Sequence, residues 1–235
     1  MELAFAPLKK AAAHQIAILE KYEKSATTKE VGFTYFITTV KNAWDNIDYG
    51  VEIGKGRFLR FSYYPTRTVL ESLLRLEHYC RQQKDGQNDI ALRELLRIAK
   101  RFYEREKIEN GTGEPYKTIY SDIAVQGTYP SVEEANPKDD PFPNMKKLTE
   151  ETPAYNKDAH LYFTYEALCE LSHGKMLAIN TAVQDELAEH VRSLMGLQSY
   201  ACNLLRLVDH HIKGITSEEV EKAIKAAEGI VKKDM

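Results

Sequence analysis

Cysteine is scarce in this chain: three in 235 residues, with no C-x-x-C pair. That leaves no material for a disulfide framework or a cysteine-rich metal site. Cys80, Cys169 and Cys202 lie far apart among apolar helical positions. Their setting predicts free thiols in a reducing compartment, the cytoplasm. Long hydrophobic runs are missing as well. None approaches the roughly 20 residues that cross a bilayer, so no membrane partner is expected. The opening stretch MELAFAPLKKAAAH lacks a basic segment followed by an apolar one, and no signal peptide is read from it. Nor does charge of one sign dominate. The 32 basic and 35 acidic residues leave a net charge of -3, so any nucleic-acid surface has to be local. Catalytic loops are absent too. There is no G-x-S-x-G elbow, and IGKGRF lacks the G-x-x-x-x-G-K-[ST] arrangement of a phosphate-binding loop. No cofactor is expected.

What the chain does have is helical periodicity. The predicted fold is all-α, a multi-helix bundle of about six main helices in one domain, 1–235. Residues 8–24 place Ala12, Ala13, Ile16 and Leu19 on one stripe, with Pro7 near the start. Thr28 is placed to cap a helix from about 29 to 53, where Val31, Tyr35, Thr38, Ala43 and Ile47 recur. Its TYFITTV segment is β-branched enough to suit a strand, but the pattern continues through VKNAWDNIDYGVEI, which favours a helix. Trp44, the only tryptophan, is expected in the core. The strongest helix follows in FLRFSYYPTRTVLESLLRLEHYCRQQ, with Ser62 or Thr66 as its start and Val69, Leu70, Leu73, Leu74, Leu76 and Tyr79 on a broad apolar face. After a turn at DGQN comes a fourth helix, about 88–108, with Leu92, Leu95, Leu96, Ala99 and Phe102 expected inward.

Glycine and proline then concentrate in one long excursion, 109–156, between the fourth and fifth main helices. A connection of that length is rarely bare loop. Short helices are predicted near 116–124 and 144–151, and PKDDPFPN is expected to be the most mobile stretch. Helical pattern returns at about 157–178, 183–212 and 217–232.

The polar residues of these helices carry the functional reading. Arg67 and Glu71 are four apart, within pairing reach on the most apolar helix. Tyr165, Cys169 and His173 also fall four apart, along one side of a late helix. A buried arginine needs a carboxylate and further acceptors, and this second row can complete such a network. The pattern Arg-x-x-x-Glu, followed late in the chain by Tyr-x-x-Leu-Ser-x-x-x-His-Gly, resembles a family of bacterial helical proteins known only as a domain of unknown function. Arg67, Glu71, Tyr165, Leu168, His173 and Gly174 match it, and Cys169 stands where serine is usual. The resemblance implies a helical fold and a shared polar cluster that binds a partner or small ligand, or only specifies packing. It carries no activity.

Two further constellations point elsewhere. Arg206 and His211 form R-x-x-x-x-H, which resembles the signature of HEPN domains. That resemblance implies a metal-independent ribonuclease or RNA-binding module, with a composite site in a homodimer. His211 would take the ribose 2′-hydroxyl proton and Arg206 would hold the phosphate. Leu207 departs from the polar residue common there. Arg93, Arg97, Arg101 and Arg105 repeat every four residues, so they suit either a phosphate backbone or a solvated, ion-paired face. Glu170 and His173 form half of a di-iron E-x-x-H pattern. Glu186, Glu189 and His190 do not supply the other half, so no metal is expected. A ligand-binding domain, an RNA-directed enzyme and a purely structural or regulatory interaction protein all remain open from the sequence.

Overall fold

A computed structural model describes residues 2–25, 31–54, 62–84, 90–125, 129–136, 141–152, 161–172, 186–211 and 217–234. All regular structure among these residues is helical: α1 (Glu2–Ser25), α2 (Val31–Gly54), α3 (Tyr63–Lys84), α4 (Ile90–Asn110), α5 (Glu114–Ala124), α6 (Met145–Glu151), α7 (Leu161–Ser172), α8 (Glu186–His211) and α9 (Ser217–Asp234). The expected cap at Thr28, the DGQN turn, His173 and Gly174 fall outside the described residues.

The arrangement centres on α3. Val69, Leu70, Leu73, Leu74 and Leu76 are wholly buried, and α3 packs against α2, α4, α6, α7 and α8. Such a helix is apolar over more than one face, as its leucine pattern predicts. α2 lies along it and buries Phe36, Val40, Ala43, Trp44, Ile47 and Val51 at helical spacing. That continuous stripe overrides the β-branched character of TYFITTV, because packing outweighs intrinsic propensity. Where α2 passes α3 and α8, a side chain at Gly50 would meet Leu197 at 2.8 Å and Pro65 at 3.3 Å. α1, α8 and α9 complete the main core. Buried Gln15 donates to the Leu205 carbonyl at 3.0 Å, and buried Gln198 to the Ala227 carbonyl at 3.0 Å.

Several expectations from the pattern need correction. α1 begins five residues before Pro7, so the proline lies inside the helix and forfeits one backbone bond close to its end. Ala13 and Thr38 face outward; the buried stripe of α1 runs through Leu8, Ala11, Ala12, Gln15 and Leu19 instead. On α4, Leu92 and Leu95 are half-buried and Phe102 is 46% exposed, stacked on Tyr116 at 5.2 Å. Tyr103 takes the inward position. The reason is the partner: the second half of α4 packs against α5 and the 129–136 segment rather than the main bundle, and these approach from Tyr103's side. Leu96, Ala99, Tyr103, Tyr120 and Val132 form that second, smaller core. The turn between α4 and α5 needs Gly111 at φ 75°, and a side chain at Gly113 would collide with the Tyr103 ring at 2.4 Å.

Among its described residues, the excursion contributes α5 and α6. α6 starts at Asn144, whose side chain accepts from the Lys147 amide at 2.9 Å, a regular N-cap. Phe142, within the stretch expected to be most mobile, is 4% exposed and belongs to the main core.

The inward side of α4 is directly measurable. Tyr103→Ala is expected to cost about 3 kcal/mol in urea unfolding, as for other buried aromatics. Phe102→Ala is expected to cost less than about 1 kcal/mol, the range of an exposed position.

Candidate functional site

Arg67 and Glu71 sit one turn apart on α3, at the edge that faces α7. Arg67 Nε donates to Glu71 Oε1 at 3.0 Å. The same oxygen accepts the Tyr165 hydroxyl at 2.9 Å, across 94 positions of sequence. The guanidinium lies over the Tyr165 ring, 5.9 Å from its centroid, and Tyr162 stacks against the far side of the row at 6.3 Å. Cys169 lies one turn beyond, near enough to act on the Tyr165 phenol. Four residues of the predicted seam thus converge, and the fifth, His173, lies outside the described residues. The ion pair is only partly buried: 22% of the Arg67 side chain and 26% of Glu71 remain accessible.

The electrostatics fix the protons. Burial pushes the Tyr165 phenol well above its ordinary range, and Cys169 and Glu71 push it the same way. It stays protonated and acts only as a donor. Burial opposes the charge on Arg67, but the charge and hydrogen bond of Glu71 outweigh it and hold the guanidinium more firmly charged than usual. The site therefore offers a fixed cation, an aromatic face and a thiol, with its carboxylate already accepting twice. Such a set of groups can recognise a ligand.

Comparison of the sequence with protein-family models and with curated proteins, and of the fold with solved structures, finds no match. The geometry is thus the source of any functional reading.

The other predicted residues are placed differently. Arg206 is exposed near the end of α8, while the His211 ring packs on Phe36 at 4.8 Å and Tyr79 at 6.4 Å. Five residues along one helix turn two side chains about 140° apart, and these two point to different surroundings. The arginine row of α4 is not one face. Arg93, Arg101 and Arg105 are exposed, but Arg97 is buried and grips Glu94 through Nε at 2.7 Å and Nη2 at 2.6 Å. Among the described residues, no three histidine, cysteine, aspartate or glutamate side chains gather as metal ligands would, and no helix is long and apolar enough to cross a membrane. All three cysteines are free thiols.

Two polar clusters escaped the sequence reading. Glu94, 3% exposed, is shared by Arg97 and by Arg75 of α3, whose Nη1 lies at 3.2 Å and whose guanidinium sits 5.2 Å from the Phe142 centroid. The available signal was an Ile90–Glu94–Arg97 stripe at helical spacing, which placed opposite charges where the helix turns inward. Further along α3, Arg81 Nη1 donates to the Glu151 carbonyl of α6. His78 Nδ1 lies 3.9 Å from Glu151 Oε2, too far for a hydrogen bond. Arg81 Nε and Nη2, His78 Nδ1 and Gln82 Oε1 are buried without a hydrogen-bond partner. Burial pushes the neighbouring Glu77 carboxyl up to about 7, against the pull of Arg81. Burial, then Arg81, holds His78 below its usual range.

These shifts oppose each other with pH. The stabilising proton on Glu77 is fully present below the usual glutamate range and is lost as pH rises toward 7. Neutral His78 contributes above the usual histidine value, and that contribution falls away as pH drops. Glu77→Gln isolates the first effect. Its unfolding free energy in urea is expected to match wild type at about pH 4. At about pH 8 it is expected to exceed wild type by on the order of 2 kcal/mol. A gap that does not change with pH would remove Glu77 from the account.

Proposed function

We propose that this chain is a helical binding domain that takes a protein partner or small ligand at the α3–α7 cluster of Arg67, Glu71, Tyr165 and Cys169. The observation that carries the reading is the shared Glu71 oxygen, which holds Arg67 at 3.0 Å and Tyr165 at 2.9 Å in a pair still about one quarter accessible. A network serving packing alone gains most when fully enclosed, whereas this one keeps an oriented cation and an aromatic face within reach of solvent. The ribonuclease reading draws less support. Within one chain Arg206 and His211 diverge, so it requires a second copy to complete a site.

The test is thermal-shift screening of the whole chain against a metabolite panel, in parallel with Arg67→Met and Tyr165→Phe. Both variants are expected to stay folded, with unfolding shifted by about 1–2 kcal/mol through the lost bonds. A compound that raises the melting point of wild type is expected to lose at least about tenfold in affinity in Arg67→Met, the worth of a charged hydrogen bond. Unfolding of both variants, with no panel member stabilising wild type, would assign the cluster to packing alone.

A further inference from the structure

α6 lies over the second half of α3 and also touches α7. Its own hydrogen bonds are local. Asn144 caps it, Thr149 Oγ1 donates to the Lys146 carbonyl at 2.7 Å, and Thr152 Oγ1 donates to the Leu148 carbonyl at 2.6 Å. Among the described residues, one hydrogen bond joins α6 to α3, from Arg81 Nη1 to the Glu151 carbonyl. The rest of the hold is side-chain burial: Phe142 is 4% exposed, and Leu148 and Thr152 are wholly enclosed. The α3 side of this seam is polar and poorly matched. Arg81 Nε and Nη2, His78 Nδ1 and Gln82 Oε1 are buried without a hydrogen-bond partner among the described residues. Spacings of three and four put these side chains on one face of α3. Nε and Nη2 form the edge of a guanidinium that grips a carboxylate, as Arg97 grips Glu94 with the same two nitrogens. In Arg81 that edge is the unmatched one.

We infer that residues 142–152 form a strap that opens from α3 while the rest of the fold stays closed. Opening keeps the cap and both threonine bonds of α6 and loses one bond to α3. It lets water reach four polar atoms that the closed form leaves unsatisfied. Each such atom raises the share of the open form by roughly five- to 150-fold relative to a satisfied seam. Burial of Phe142 and Leu148 opposes this, so the closed form dominates and the open form is a minor state in exchange with it. The open strap also bares the face that Phe142 covers, where its ring lies 6.0 Å from the His78 ring and 5.2 Å from the Arg75 guanidinium. It thereby presents a guanidinium edge suited to a carboxylate, which the closed fold conceals. The strap shares no residue with the α3–α7 cluster and stands apart from that reading.

The experiment is native-state hydrogen exchange of the whole chain, read by mass spectrometry at urea concentrations below the unfolding transition. Amides of α6 are expected to exchange at least about a hundredfold faster than those of the buried stripe of α2. Their rates are also expected to depend much less on urea, because opening the strap exposes little surface. His78→Leu removes one unsatisfied atom and is expected to slow α6 exchange about fivefold or more. Gln82→Met is expected to act in the same direction, and it carries the test if the first variant does not fold. Simple fraying of a short helix would leave α6 exchange untouched by either change on α3. Equal rates and equal urea slopes for α6 and α2 would overturn the inference, since the strap would then open only with the whole molecule. So would α6 exchange that is unchanged or faster in the variants that fold.

Discussion

The burial of α3 governs this structure. Five consecutive apolar positions of its inner face are wholly enclosed, and helices from four later parts of the chain and from α2 close around it. A helix surrounded in this way leaves its charged residues at most partly solvated. Arg67, Glu71, Arg75, His78 and Arg81 are all on α3 and need partners from the helices around it. Three different elements supply them. α7 brings Tyr165 to Arg67 and Glu71, α4 brings Glu94 to Arg75, and α6 brings Glu151 to His78 and Arg81. The polar features of the molecule are thus consequences of one apolar constraint.

The three interfaces differ in how completely they satisfy those charges. At α7 each group has a partner, and the phenol's raised affinity for its proton keeps the network in one state across ordinary pH. At α4 one carboxylate is shared by two arginines, one from α3 and one from α4 itself. At α6 the match is poorest. Two nitrogens of Arg81 and one of His78 are buried without hydrogen bonds, and Glu77 is driven toward its neutral form.

The second core explains why α4 carries charge inward. Its first half meets α2 and α3 while its second half meets α5 and the segment around Val132. The side chains between those halves face a boundary that neither apolar core fills. Arg97 and Lys100 occupy it, their aliphatic stems packed and their heads tied to Glu94 and the Val132 carbonyl. A cavity of about 130 Å³, with Leu96, Arg97, Lys100 and Tyr120 in its lining, lies along that boundary.

The sequence by itself determined the helices, the apolar face of α3, the free thiols, and the pairing of Arg67 with Glu71. It also placed Tyr165 and Cys169 on one row. Each follows from the 3.6-residue repeat, a local property that a single chain displays without reference to its neighbours. Tertiary structure decided which charged residues lie inside: Glu94, Arg97 and Lys100 read as members of a solvated face and are buried, while Phe102 read as core and is exposed. It also decided that Tyr165 reaches Glu71, that Glu94 serves Arg75, and that a cavity forms. The physical reason is that burial of a long charged side chain depends on which distant element covers it and whether that element supplies a counter-charge. Periodicity along one helix contains neither fact.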